Sequence, residues 1–493
     1  MEAVLDLNFA PVAYSFGQEH FGACGFGDLR LTKRAIKTAD LFLKHPGGTL
    51  PEKLNGEAEL DGFYNFANNR KVNHANTMRG HCLRTAQQVQ QCQGTVLMIH
   101  DTSEVDFSGL ESVADLGPIG NGSCRGFLCH NSLAYDFESR EVLGLVAQSL
   151  QCRRRVPKGE TARQKQEHPQ RESRLWTRNA QAVREALRQA AAQALATVAQ
   201  AMQTVGQALR VVHVSDRGSD LFELLDWYAR GGDLYVIRAK TNRKIVVPTA
   251  VGGRKAKLMS WAWKLPTLGH RMVSVPGCGE EPARKALVGV AAGPVQIQAP
   301  VGKRGEHGDG PLSAWVVHVR EQKPPRGVAA VEWFLITNVP TATWAQANER
   351  VEWYCCRWVI EEFHKAMKTG CGVELPQFTT KKALEVTVGM LSVVATQLLR
   401  LRDLCRQEGA EQRPATGVVD VAYVEALSLW RCKRRRGDLS VREFLYALAK
   451  LGGHLNRRHD GPPGWLVLWR GWTKLQLLVE GAAGERIARC AER

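Results

Sequence analysis

Residues 351–374 read VEWYCCRWVIEEFHKAMKTGCGVE, and the stretch carries an ordered polar face that folding alone does not require. On a helix advancing about 100° per residue, Tyr354, Arg357, Glu361 and Lys368 fall within about 60° of one another. Cys355, Val359, Phe363, Ala366 and Met367 fall on the opposite side, so the spacing predicts a helix that packs with its apolar face and presents a tyrosine, an arginine, a carboxylate and a lysine together. Such a face suits a phosphate beside a metal. Glu362, rotated about 100° from Glu361, is expected to be dispensable for metal binding.

Working outward, two short apolar runs end in aspartates. TVLMIH (95–100) is rich in strand formers and leads into Asp101; LRVVHVS (209–215) leads into Asp216. Open α/β sheets place their active-site groups at the C-terminal ends of such strands. Taken singly, each aspartate also reads as a loop or helix-capping residue. Between them, FLCHNSLAYDFESREVLGLVAQSLQC (127–152) reads as two strands joined by a turn through Asp136–Arg140, and the alanine-rich run from Leu175 to about Leu209 as a helix. The polar, strongly basic stretch 152–174 reads as an exposed loop that either touches DNA or merely links elements. GSDLFELLDWYARGGD (218–233) reads as a helix stopping at Gly231–Gly232.

The flanks differ in texture. Residues 1 to about 75 read as small helices, broken at Pro46-Gly47-Gly48, with Arg30, Arg34 and Lys37 at helical spacing: a DNA-gripping helix or a solvated amphipathic face. A further helix runs from about His74 to Cys92. Residues 234 to about 340 have a strand-and-turn texture and read as a β-rich insertion. From Leu375 the pattern is helical again, and CKRRRGD (432–438) adds an exposed basic cluster.

At 493 residues, two or three domains are expected. A net charge of +17 points to a polyanionic partner, nucleic acid first. Thirteen cysteines with no C-x-x-C pair encode neither a disulfide framework nor a zinc knuckle, and they fit a reducing cytosol. The N-terminus lacks a signal-peptide pattern and no uncharged apolar run reaches about 18 residues, so a soluble intracellular protein without a membrane partner is expected. Asp101, Asp216 and Glu361 could together hold two hard divalent cations for in-line phosphoryl displacement. No histidine or cysteine cluster competes as a zinc site, and no G-x-x-x-x-G-K-[ST] loop implies a nucleotide cofactor.

Tyr354, Arg357, Glu361 and Lys368 also reproduce the Tyr-Arg-Glu-Lys signature of bacterial DDE transposases of insertion-sequence family four, which the chain resembles over essentially its whole length. IHDTS (99–103) resembles the family's first-aspartate block and VSDRGSD (214–220) its second; FGDLRLTKR, SCRGFLCH, RESRLW, YVIRAK, VEWFLITN and ALAKLGGHLN are similar to family segments. The resemblance implies an α/β, RNase H-like catalytic core (76–374) with its β-rich insertion, an α-helical N-terminal domain (1–75) that binds transposon ends, and an α-helical C-terminal domain (375–493) used for homodimerisation. It implies catalytic metal ligation by Asp101, Asp216 and Glu361, with two Mg²⁺ ions and Mn²⁺ tolerated. It further implies DNA contacts from Tyr354, Arg357 and Lys368, stacking of a flipped base on Trp333, and phosphate contacts from Arg238 and Lys240. The implied partners are double-stranded DNA, as terminal inverted repeats and as target, and the implied location is the bacterial cytoplasm, at the nucleoid. The implied reaction is cut-and-paste transposition through a hairpin intermediate. A different RNase H-like nuclease or recombinase and a non-catalytic DNA-binding relative are the alternatives. Where the family commonly has Asp-Arg-Glu, this chain has Asp216-Arg217-Gly218, and its 152–174 loop is more basic.

Overall fold

A computed structural model describes residues 15–161, 164, 168, 171–198, 209–249, 252–275, 277, 283–301, 307–407, 409–457 and 460–491. The architecture follows from β1 (Thr95–Asp106), whose first six residues are buried. They alternate between two cores: Val96 and Met98 enter one, Leu97 and Ile99 the other. A strand covered on both faces reads as an unbroken apolar run. A short strand β2 (Gly117–Ile119), then β3 (Cys124–Asp136) and β4 (Glu141–Gln151), form an antiparallel array on one side of β1. On its other side β5 (Arg210–Ser215) and β6 (Leu234–Arg238) run parallel. The spatial order is β4-β3-β1-β5-β6.

Two sequence expectations change here. β1 does not stop before Asp101: it continues to Asp106 because β3 keeps pairing with it, Asp101 opposite Asn131, after β5 has ended at the pair His100–Ser215. And Leu234–Arg238, read as the first strand of the β-rich insertion, is a strand of the central sheet. The segment that follows extends the same sheet. β7 (Lys244–Thr249), β8 (Gly252–Lys257), β9 (Gly269–Val275), β10 (Arg284–Ile297), β11 (Leu312–Glu321) and β12 (Glu332–Thr337) join it through the β6–β12 pairing, giving twelve strands among the described residues.

Among the described residues, four helices form the N-terminal layer: α1 (Phe16–Phe21), α2 (Leu29–Lys44), α3 (Leu50–Leu54) and α4 (Glu57–Asn68). α5 (His74–Gln91) and α6 (Ser173–Val198) cover one face of the sheet, burying Ala86, Val89 and Val183 on Val96, Met98 and Val146. Gly144 of β4 lets α5 approach: a Cβ there would meet Thr85 Oγ1 at 2.5 Å, and its φ of +145° suits glycine. α7 (Phe222–Gly231) ends as expected on Gly232 in the left-handed region, and α8 (Leu258–Ala262) interrupts the β-rich segment. α9 (Trp344–Cys356) and α10 (Trp358–Lys365) carry the stretch that opened the sequence reading. α11 (Lys381–Arg406) is long and apolar enough to cross a membrane, but 89% of its apolar window is buried, against β4, α4 and α5. α12 (Val421–Cys432), α13 (Val441–Leu451) and α14 (Trp465–Ala491) complete the helical C-terminal region.

Candidate active site

The parallel ladder places the first two carboxylates. β1 and β5 are in register up to His100–Ser215, so Asp101, still within β1, and Asp216, just past the end of β5, lie at the same level. Asp216 then caps a short turn, accepting a hydrogen bond from the Gly218 amide at 2.8 Å. Glu361 arrives from α10. Arg357 ties it to β1: Nη1 lies 3.0 Å from Asp101 Oδ2 and 3.1 Å from Glu361 Oε1. Asp101, Asp216, Glu361 and Lys368 line one open cleft of about 850 Å³.

The helix that delivers Glu361 is not regular. It tightens at Arg357, whose amide bonds to Tyr354 O at 3.1 Å, and widens into a π-turn over Ala366–Gly370. Phe363, Ala366 and Met367 are buried as the helical spacing predicts, while Cys355 and Val359 are only half-buried. Tyr354 departs from the predicted polar face: it is buried, its hydroxyl held up in pKa chiefly by that burial and bonded to Arg238. Its ring centroid lies 5.3 Å from that of the half-buried Trp333. Arg238 donates to Glu332 O at 3.0 Å, so Tyr354, Trp333 and Arg238 form one group beside the cleft. Lys240 is exposed, and its amide is fixed by Asp220 Oδ2 at 2.8 Å. Lys368 Nζ meets Glu374 at 3.2 Å. Glu362 turns to Arg402, with which it is ion-paired.

Burial pushes the Asp101 carboxyl up to about 7, and the neighbouring Asp216 charge adds to this. Arg357 opposes the shift without cancelling it, and three carboxylates against one bonded arginine leave an excess of acidic groups. A divalent ion relieves that excess. The donors also fit one: ligand atoms of Asp101, Glu361 and His364 all lie within 4.8 Å of one another. His364 was missed in the sequence, although its position three residues after Glu361 puts both on one helical face. Burial keeps its imidazole neutral, at about 3, and Asn131 Nδ2 donates to it at 3.2 Å. A layer of buried histidines lies behind the carboxylates: His100 Nδ1 is 2.8 Å from Ser132 Oγ, its Nε2 2.8 Å from His213 Nδ1, and His130 bonds Thr102.

Residues 177–396 match the family model described as transposase DDE domain, and residues 13–72 that described as transposase DNA-binding. The chain carries a DDE transposase domain. That match spans Asp216 and Glu361 but begins after Asp101, which the β1–β5 register brings to the level of Asp216. In the DNA-binding segment, the basic face expected on α2 is partly neutralised: Arg34 and Lys37 each reach Glu59 of α4 at 2.6 Å, while Arg30 is exposed beside Asp28.

Proposed function

We propose that this protein is a cut-and-paste DNA transposase of insertion-sequence family four. The observation that carries the reading is the convergence of Asp101, Asp216, Glu361 and Lys368 on one open cleft in a chain with a transposase DNA-binding segment. The strand order β4-β3-β1-β5-β6, with β1, β5 and β6 parallel, supports an RNase H-like core.

Asp101, Asp216 and Glu361 hold two divalent cations, Mg²⁺ or Mn²⁺, which when bound neutralise charge on the scissile phosphate. Arg357 orients Asp101 and Glu361 by bonding to both. Lys368 holds the DNA strand from the far end of the same helix, and Arg238 and Lys240 take phosphates beside it. Water opens the phosphodiester at the transposon end; the freed 3′-hydroxyl attacks the opposite strand to form a hairpin. A second water opens the hairpin, and the 3′-hydroxyl joins target DNA. Trp333, on its platform with Tyr354, receives the base that the hairpin turn expels from the stack. The active assembly is a homodimer on paired terminal inverted repeats.

The test is cleavage of a duplex carrying the inverted repeat that flanks the gene. Asp101→Ala, Asp216→Ala or Glu361→Ala abolishes Mg²⁺-dependent cleavage while end binding persists, and retained cleavage sinks the reading. Trp333→Ala slows hairpin formation more than first-strand nicking; equal loss at both steps removes the base-stacking role.

A further inference from the structure

The cleft has a second charged group that the transposase chemistry above does not use. Arg153 stands where β4 gives way to the basic loop. Its Nε and Nη2 reach Glu172 at 2.7 and 3.3 Å, and its Nη1 reaches Glu104 of β1 at 2.7 Å. All three residues line the same cleft as Asp101, Asp216 and Glu361. Glu104 is itself anchored, its Oε2 accepting from the Gly120 amide at 2.9 Å. The backbone beneath the arginine is pinned too. A Cβ on Gly117 of β2 would come within 2.4 Å of Arg153 O and 2.5 Å of its N, so β2 and the loop pass at a distance only glycine permits.

A guanidinium has five N–H groups. Three are committed to the two carboxylates, which leaves two for another acceptor. The carboxylates also aim the arginine, because a bidentate grip by Glu172 and a single bond from Glu104 remove the freedom an exposed arginine normally keeps. Once cations neutralise the three catalytic carboxylates, the cleft lining retains Glu104 and Glu172 against Arg153, Lys365 and Lys368. Among the described residues, Arg153 is then the cation contributed by the loop wall, whereas Lys365 and Lys368 come from the α10 side.

We propose that Arg153 is a further DNA-contact residue: it binds a phosphate of the strand lying across the carboxylates, and Glu104 and Glu172 preset its guanidinium for that contact. The proposal rests on the transposase reading and assigns a role to the start of the 152–174 loop, whose sequence left open whether it touches DNA or only links elements.

The experiment measures binding of the full chain to the repeat duplex by fluorescence anisotropy across a salt series, alongside Mg²⁺-dependent nicking and thermal melting. Arg153→Ala is expected to weaken binding about ten-fold and to lower the salt slope by about one, the signature of one lost phosphate contact. Arg153→Lys restores the slope, and Glu172→Gln, which keeps a side-chain oxygen to aim Arg153 while removing a negative charge from the cleft, binds at least as tightly as wild type. An unchanged slope in Arg153→Ala overturns the inference. So does a parallel loss of binding and melting temperature in Arg153→Ala and Glu172→Gln, which marks the triad as purely structural. If wild type does not nick the duplex yet the Arg153→Ala slope drops by one, the contact stands and the cutting reading falls; if wild type nicks and the slope is unchanged, the reverse holds.

Discussion

In the cleft, Asp101 faces Asp216 and Glu361, and one arginine, Arg357, bonds to two of the three; on α2, Arg34 and Lys37 share Glu59 at 2.6 Å each. Both are clusters of charge. The first holds a surplus of one sign in a partly desolvated place, where burial foremost and the neighbouring Asp216 charge next push Asp101 up to about 7. The second sets two cations on one carboxylate near the surface, where water screens them and such pairs contribute at most about 1 kcal/mol. A surplus of charge held against desolvation marks a place suited to a ligand, whereas the same kind of surplus under water is screened and needs none.

Removing the surplus has the largest expected effect. Asp216→Asn keeps the side chain's shape but loses a charge, and single-turnover cleavage is expected to fall by at least about 10³-fold with the fold intact by circular dichroism. Breaking a buried ion pair should instead cost stability. Arg402 is buried beside Asp403 and ion-paired with Glu362; Arg402→Met strands a buried carboxylate and should lower unfolding stability by about 3–5 kcal/mol in a denaturant titration. His364→Ala sharpens the boundary of the surplus region. If the imidazole completes the donor set, Mn²⁺ affinity drops about 10–100-fold by calorimetry while thermal stability changes little.

The buried histidines set an acid limit on the packed regions. His81, which accepts from the Leu145 amide and bonds His20, is held down at about 3 by burial, from an unfolded value of 6.5. Between those values the unfolded chain binds the proton and the folded chain does not. Stability is therefore unaffected above pH 6.5 and falls as pH drops from 6.5 toward 3, with a slope of about 1.4 kcal/mol per pH unit for this residue. His81→Gln should flatten that slope in a pH series of melting curves. The smallest effect belongs to Glu59→Gln, which frees Arg34 and Lys37: stability changes by less than about 1 kcal/mol, and duplex binding tightens at low salt.

Much of the cleft is legible along the chain because its parts obey short periods. TVLMIH and LRVVHVS read as strands, and both aspartates stand immediately after them. Glu361 and Lys368 share a face by helical spacing, and both line the cleft. The reading failed where long-range packing overrode the period: Tyr354 turned inward onto Trp333, and β1 ran on through Asp101 because β3 stayed paired with it. His364 escaped notice because one histidine three residues from a glutamate is unremarkable until β1 and β3 bring Asp101 and Asn131 to it.

Local chemistry alone therefore determined where the apolar strand runs and the helices lie in outline, that the chain is strongly basic, and that Asp101 and Asp216 each follow such a run, since these depend on side-chain period and charge within a few residues. Only the tertiary structure decided that Asp101 and Asp216 lie at one level, that Arg357 bonds across to β1, and that Arg153 enters the same cleft. Each joins residues far apart in sequence, and their meeting depends on strand register and backbone close approach, which burial of both sheet faces enforces and no local pattern encodes.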